Sequence, residues 1–461
     1  MDSNKTMHIA MSPWFAFGHF IPYLQLSNKL AEKGHRISFF VPKGAISKIQ
    51  HGNLHPNLIA FVPINVPQVE GLPSGAETTA DISVPQFGPS LATAMDRTKT
   101  DIQLFLHQLN PDFVFFDFAY WIPSLAKSLG IKSIQFTIAS VPTIARNYSI
   151  HVKYYQVEAD DISDEDLMKH PPGYPDSSLI IHPHEVKMLR ERKKMVFGSG
   201  LLFYDRLLRG LRESDAIAYR SCRELDGPIL DYMGSQFGKT ILPTGPLIPK
   251  FPASDLDEKW TRWLGGFKAG SVIYSAFGSE TTLSEDQFHE LLLGLEQTGM
   301  PFLVVHKLPT GFESVKAALP EGFLERVEGR GIVHDGWVPQ QKILEHPSVG
   351  CFVSHCGYSS LLEALPNDCQ LVLMPIVEYV TPRRLSSVLK VAVEVEAVEA
   401  DGFFSKESVC KAVRTAMDVN SEAGKEIRAN RAKVREIFLN KKFESSYIES
   451  FCQKLGDILV Q

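Results

Sequence analysis

The sequence predicts an α/β protein made of two Rossmann-like halves, each built on a parallel sheet. Three observations carry that reading. Short apolar runs alternate with amphipathic stretches through connections too long for hairpins, which is the pattern of parallel βαβ units. The alternation stops at Leu242–Pro252, a stretch with four prolines and one glycine, and then restarts. The 461 residues amount to two or three domains, each large enough to bury a core. The expected layout is an N-terminal domain over 1–241, a linker over 242–258, a second domain over 259–440, and a terminal helix in 441–461 that packs back on the first domain.

The elements follow in order. His8–Ser12 is a short apolar strand, and a loop holding Gly18 and His19 leads into a helix over Phe20–Lys33, stopped by Gly34. Arg36–Val41 and Leu58–Pro63 are the next strands. Residues 64–90, rich in Pro, Gly, Ser and Thr, form a long loop before a helix over Ala92–Gln108. Phe113–Phe116 is a wholly apolar strand closed by Asp117. A helix over Pro123–Leu129 leads to the strand Lys132–Phe136. Residues 150–200 break the rhythm as an insertion whose charge runs are solvated faces. Ala216–Arg220 and Thr240–Leu242 resume it. Beyond the linker come strands at Ser271–Ala276, Phe302–His306, Val349–Ser354, Gln370–Met374 and Val391–Glu396. Helices fill Ser284–Thr298, with Ser284 and Gln287 as a capping box, Ser405–Met417, 421–438 and 444–459. Two such halves around a proline-rich hinge place a ligand cleft between the carboxyl ends of their sheets.

Composition narrows the function. A hydrophobic share of 44% and a charged share of 22% are those of an ordinary soluble protein. A net charge of −6 gives no basic excess for nucleic acid. The six cysteines contain no C-x-x-C pair and no zinc spacing, so reduced thiols in the cytosol are expected. The apolar start is interrupted by Gly18, His19 and Pro22, which fits neither a signal peptide nor a membrane span. No dinucleotide fingerprint, P-loop, serine-hydrolase elbow or zincin motif is present.

What remains is Trp337–Val380. There a buried strand ends in His355-Cys356-Gly357, and Ser359 and Ser360 open a helix. A strand feeding a helix through small residues turns free N–H groups and the positive helix end outward, a geometry that binds phosphate. Trp337, between turn-forming Gly336 and Pro339, offers an indole on which a flat base can stack. Gln340 has an amide for polar edges, and Glu363 lies one turn past Ser360 and can accept from two hydroxyls. Taken alone, each is also an ordinary core Trp, core His or helix acid.

Trp337-Val-Pro-Gln340, His346-Pro347, Gly350-Cys-Phe, His355-Cys-Gly357, Ser360, Glu363 and Pro375 resemble the donor-binding signature of plant UDP-sugar-dependent glycosyltransferases. Met7–Pro22, Pro111–Asp117 and Ser275–Ser279 resemble the same family, so the likeness covers nearly the whole chain. Pro13-Trp-Phe-Ala-Phe-Gly-His19 is similar to the branch that adds a sugar to an existing flavonoid or terpenoid glycoside. The resemblance implies the two-domain GT-B fold, with acceptor binding in the N-terminal domain and UDP-sugar binding in the C-terminal one. It implies an inverting transfer to a small lipophilic acceptor, with the UDP-sugar as co-substrate and neither cofactor nor metal. His19 would be the base and Asp117 its partner. Ser279, Trp337, Val338, Gln340, His355, Gly357, Ser359, Ser360, Glu363, Tyr379 and Val380 would hold the donor. Gly18, Phe118 and Thr137 would touch sugar or acceptor, although Thr137 reads equally as a strand-end residue. Phe15, Phe17, Phe118, Tyr120 and Trp121 suit a flat apolar acceptor and equally a core. Oligomeric state is not legible.

The pattern breaks at its end. The family closes this motif with an Asp-Gln pair on the sugar hydroxyls, and this chain has Tyr379-Val380 there, followed by Thr381-Pro382-Arg383-Arg384. Val380 has no side-chain hydrogen bond to give, and Tyr379 only a hydroxyl. Three readings stand: a donor sugar such as rhamnose, xylose or apiose; glucose contacted by Glu378 or Tyr379; or a nucleotide-sugar binder with weak or no catalysis. The intact His19 and Asp117 speak against the third.

Overall fold

Strands β1 (His8–Ser12), β2 (Arg36–Pro42), β3 (Ile59–Ile64), β4 (Phe113–Phe116), β5 (Lys132–Thr137), β6 (Ala216–Tyr219) and β7 (Thr240–Pro243) form one parallel sheet in the order β3-β2-β1-β4-β5-β6-β7. Strands β8 (Val272–Ala276), β9 (Phe302–Val305), β10 (Gly331–His334), β11 (Val349–Ser354), β12 (Gln370–Leu373) and β13 (Ala392–Glu394) form another, β10-β9-β8-β11-β12-β13. The structure is a computed structural model and describes residues 6–154, 157–176, 179–248, 256–278, 281–376, 378–397, 402–440 and 442–460. Helices cover both faces of a parallel sheet, so central strands are apolar throughout. β4 reads Phe-Val-Phe-Phe and every residue is buried, and β11 is buried along its whole length.

The chain divides into two units. One comprises Met1–Pro175, Val186–Pro252 and Lys441–Gln461, the other Asp176–Glu185 and Ala253–Asn440. The terminal helix Phe443–Leu459 therefore lies in the first unit, where Lys29 meets Glu444 at 3.0 Å and Lys33 meets Glu449 at 2.9 Å. Asp176–Glu185 departs from the expected boundaries: ten residues of the insertion go with the second unit.

Other differences are local. The helix expected over Ala92–Gln108 is two helices, Val84–Arg97 and Lys99–Leu109. They part at Thr98, whose hydroxyl donates to the Met95 carbonyl at 2.6 Å and competes with the helical ladder. Edge strand β10 went unread because four half-buried residues carry little periodicity. Ser284 caps the helix Glu285–Thr298 by accepting from Gln287 N at 3.3 Å. In each sheet the strand order reverses once, between β1 and β4 and between β8 and β11. Ligands of open α/β sheets bind at the carboxyl ends of such neighbours.

Candidate active site

At the first reversal Ser12 pairs with Phe116, so the loops after β1 and β4 leave the sheet side by side. Asp117 is the first residue beyond β4 and is buried. Its Oδ1 accepts from the backbone N–H groups of Trp14 and Phe118, both at 2.7 Å. Its Oδ2 lies 2.5 Å from Nδ1 of His19, which sits in the first turn of the helix Phe17–Glu32. With three acceptances the carboxylate is fixed, and it fixes the imidazole in turn. Nδ1 carries the proton and Nε2 keeps the basic lone pair. The sequence reading of His19 with Asp117 thus corresponds to a real contact across 98 residues.

Beside the dyad is an aromatic wall. The Phe118 ring stands edge-on to His19 with centroids 5.7 Å apart, and it packs against Trp14, Phe197 and Phe203 at 5.3–5.9 Å. Phe15 and Trp121 belong to the core, as Trp14 and Phe197 do by burial, whereas Phe118, Phe203 and Phe17 are half-buried. Trp14 entered the sequence reading only as part of the Pro13–His19 motif, and Phe197 and Phe203 were not singled out; Phe197 lies in the 150–200 insertion. Arg206, fully buried, anchors the wall. It pairs bidentately with Asp96 at 2.6 and 2.8 Å and donates to the carbonyls of Phe118 and Phe197 at 3.1 and 2.8 Å. Gly18 is exposed with open space around it, and Thr137 is buried at the end of β5, next to β4.

In the second unit Ser354 pairs with Ala276, and the loops after β8 and β11 again leave together. His355 follows β11 and is wedged between two glycines. A Cβ on Gly357 would stand 2.5 Å from its Nε2, and one on Gly278, at φ +68°, would stand 3.1 Å from its ring. Cys356 between them takes φ +71°, a strained value for a residue with a side chain. Burial pushes the His355 imidazole down to about 4, against a smaller upward pull from the Ala276 backbone. It is therefore a neutral ring at pH 7. Behind it His306, pushed by burial to about 3, packs on Phe277 with centroids 3.9 Å apart. His306 was read only as a strand residue.

Gly357 precedes the helix Tyr358–Ala364 and gives it no side-chain cap, so its first N–H groups point out of the turn. Ser359 and Ser360 lie in that first turn, half-buried. Gln340 opens the helix Gln340–Leu344, and its Nε2 donates to Glu363 Oε2 at 2.7 Å and to Ser360 Oγ at 3.2 Å. Three residues read separately from the sequence are thus one network. Trp337 is 85% exposed, an indole face standing clear of the core, whereas the Val338 side chain is buried and leaves only backbone to offer. Ser279 lies outside the described residues.

Tyr379 and Val380 need correction as side-chain donor contacts. They are 4% and 1% exposed, and the Tyr379 hydroxyl donates to the carbonyl of Glu185 at 3.0 Å. Glu378, half-buried, accepts from Thr381 N at 2.8 Å.

Two parallel sheets, each with one reversal of strand order, define the class by fold: a two-domain α/β protein, with a His–Asp contact at one reversal and a neutral histidine beside a helix start at the other. The protein-family model described as UDP-glucoronosyl and UDP-glucosyl transferase matches residues 256–421. A cyanidin 3-O-galactoside 2''-O-xylosyltransferase of Actinidia chinensis var. chinensis is 54% identical over 456 residues, 98% of this chain and 99% of its own. An anthocyanidin 3-O-glucoside 2''-O-glucosyltransferase of Ipomoea nil is 50% identical over 456 residues, 98% of each chain. The crystal structure of Glycyrrhiza uralensis UGT73P12 with glycyrrhetinic acid 3-O-monoglucuronide superposes with a TM-score of 0.82 over 99% of this chain and 97% of that one, at 21% identity, a likeness of fold. The chain belongs to the UDP-glycosyltransferase family and is a UDP-sugar-dependent enzyme of plant specialised metabolism. No helix among the described residues is long and apolar enough to cross a membrane.

Proposed function

We propose that the enzyme joins one sugar from a UDP-sugar to the 2''-hydroxyl of a flavonoid or anthocyanidin 3-O-glycoside, with inversion. The observation that carries this reading is the 2.5 Å His19–Asp117 contact, because a pure nucleotide binder has no use for an oriented base. His19 Nε2 takes the acceptor hydroxyl's proton as that oxygen attacks the anomeric carbon. The bond from that carbon to the diphosphate breaks, and UDP leaves with the electron pair. Asp117 stabilises the imidazolium that forms. Trp337 stacks on uracil, while Gln340 and Glu363 take the ribose. The N–H groups at 358–360, with His355 and Ser360, meet the leaving diphosphate. In this proposal no metal or cofactor takes part.

The aromatic wall beside His19 suits a flat acceptor, in keeping with relatives named for anthocyanidin and cyanidin glycosides. Those relatives are named for xylosyl and glucosyl transfer, so a pentose and a hexose are both within the reach of such sequences. We place the enzyme in the cytosol, in keeping with six unbridged cysteines. The test is incubation with UDP-glucose, UDP-xylose, UDP-galactose and UDP-rhamnose against flavonoid 3-O-glycosides, with products read by mass. A gain of one sugar is expected. UDP binding without turnover on any donor would overturn the proposal in favour of a nucleotide-sugar binder.

A further inference from the structure

The run after the donor turn is unusual in what holds it. Arg383 is buried between two carboxylates. Its Nη2 lies 2.7 Å from Glu185 Oε1 and 2.7 Å from Glu394 Oε1, while its Nη1 donates to Glu185 Oε2 at 2.9 Å and to the Ile180 carbonyl at 2.6 Å. Glu185 is fully buried and has Oε2 fixed by His182 N at 2.8 Å. One position on, buried Arg384 pairs with Asp176. The Tyr379 hydroxyl reaches the same segment at the Glu185 carbonyl. The helix Val380–Arg383 then passes into a π-helical turn over Arg384–Val388, an irregularity frequent at functional sites. Taking charges this far out of water is costly, and such pairs make little sense as generic glue. What they do fix is geometry, since an arginine fork between two carboxylates has few alternative positions.

We propose that Glu185, Arg383 and Glu394, with Asp176 and Arg384, are positioning residues that lock the Glu378–Val380 turn, so that the donor sugar is read by a rigid backbone and Glu378 instead of a polar Asp-Gln pair. This rests on the reading of the second unit as the UDP-sugar site. The nucleotide is gripped elsewhere, at Trp337, Gln340 and Glu363, so the lock acts on the sugar alone. A floppy Tyr-Val turn would discriminate poorly, because neither side chain offers a hydrogen bond to the sugar. A turn fixed to within a fraction of an ångström can discriminate by its carbonyls, its N–H groups and one carboxylate.

The experiment is calorimetric binding of UDP and of the UDP-sugar turned over fastest by the wild type (the tightest-bound one if none turns over), to full-length wild type, Glu185→Gln and Asp176→Asn. The expected result is that each variant weakens the UDP-sugar by about tenfold or more and UDP by less than about twofold. Glu185→Asp should recover part of the loss. A purely structural role would lower the melting temperature and move both affinities by one factor, and that outcome, or an unchanged ratio in both variants, overturns the proposal. If Glu185→Gln does not melt cooperatively, Asp176→Asn at the outer pair decides. Failure of the wild type to transfer sugar, with the affinity ratio still shifting, would contradict the proposed function and leave the lock standing. Failure of the wild type to bind UDP would contradict both.

Discussion

In the proposed reaction Asp117 turns His19 from a helix-start residue into a base of one tautomer. Substituting Asp117 by Asn keeps the shape but presents an amide that can donate, which favours the wrong tautomer. A fall in kcat of up to about 10⁴ is expected with UDP affinity unchanged, measured by steady-state rates and calorimetry. Trp337 can be tested as simply, since its exposed indole gives the fold little. Trp337→Ala should leave the melting temperature unchanged and weaken UDP by about 1–3 kcal/mol. Most residues of the site were legible because each ends a strand or opens a helix. His19 and Asp117 follow β1 and β4, and His355 follows β11. What could not be read was who bonds whom. Nothing in the sequence says that Gln340 bonds to Glu363 and Ser360, or that the Tyr379 hydroxyl is spent on a carbonyl 194 residues away.

At the scale of elements, the turn after β11 shows why sequence and site agree so closely there. Three features are local to it: a buried strand, Gly357 against the His355 ring, and a helix without a side-chain cap. Local features are what a pattern of residue types encodes. The same turn carries a pH dependence. The His355 imidazole takes a proton near 6.5 in the unfolded chain but only near 4 when buried. Between those values the unfolded state binds the extra proton, so this contribution to stability is complete above about 6.5 and is lost as pH falls toward 4. His306, held to about 3, acts in the same direction. Denaturant midpoints measured from pH 7 to pH 4.5 should fall for the wild type and fall less for His355→Gln. Equal falls would mean that His355 is not the buried neutral group described here. The helix break at Thr98 shows the opposite case, where one hydroxyl bond to Met95 overrides a continuous amphipathic pattern.

At the scale of the whole molecule, the parallel-sheet class, the restart after the proline-rich stretch and the family were legible, because alternation and motif run through nearly the entire chain. The insertion was not. Its residues 176–185 belong with the second unit, held by ion pairs to Arg383 and Arg384 that join positions about two hundred apart. Charge runs in a loop look like solvated surface, and only the fold distinguishes Glu185, fully buried, from exposed neighbours such as Glu165. That segment meets the stretch where the family pattern fails, so the proposed lock would bring residues outside the motif to bear on the donor sugar. The central claim remains sugar transfer by a His19–Asp117 base from UDP held in the second unit. It is tested most directly by single-turnover product formation with wild type and His19→Ala, beside their UDP affinities. A wild-type product heavier by one sugar, no product from His19→Ala, and equal UDP affinity for both are expected. Transfer by folded His19→Ala at the wild-type rate would contradict it.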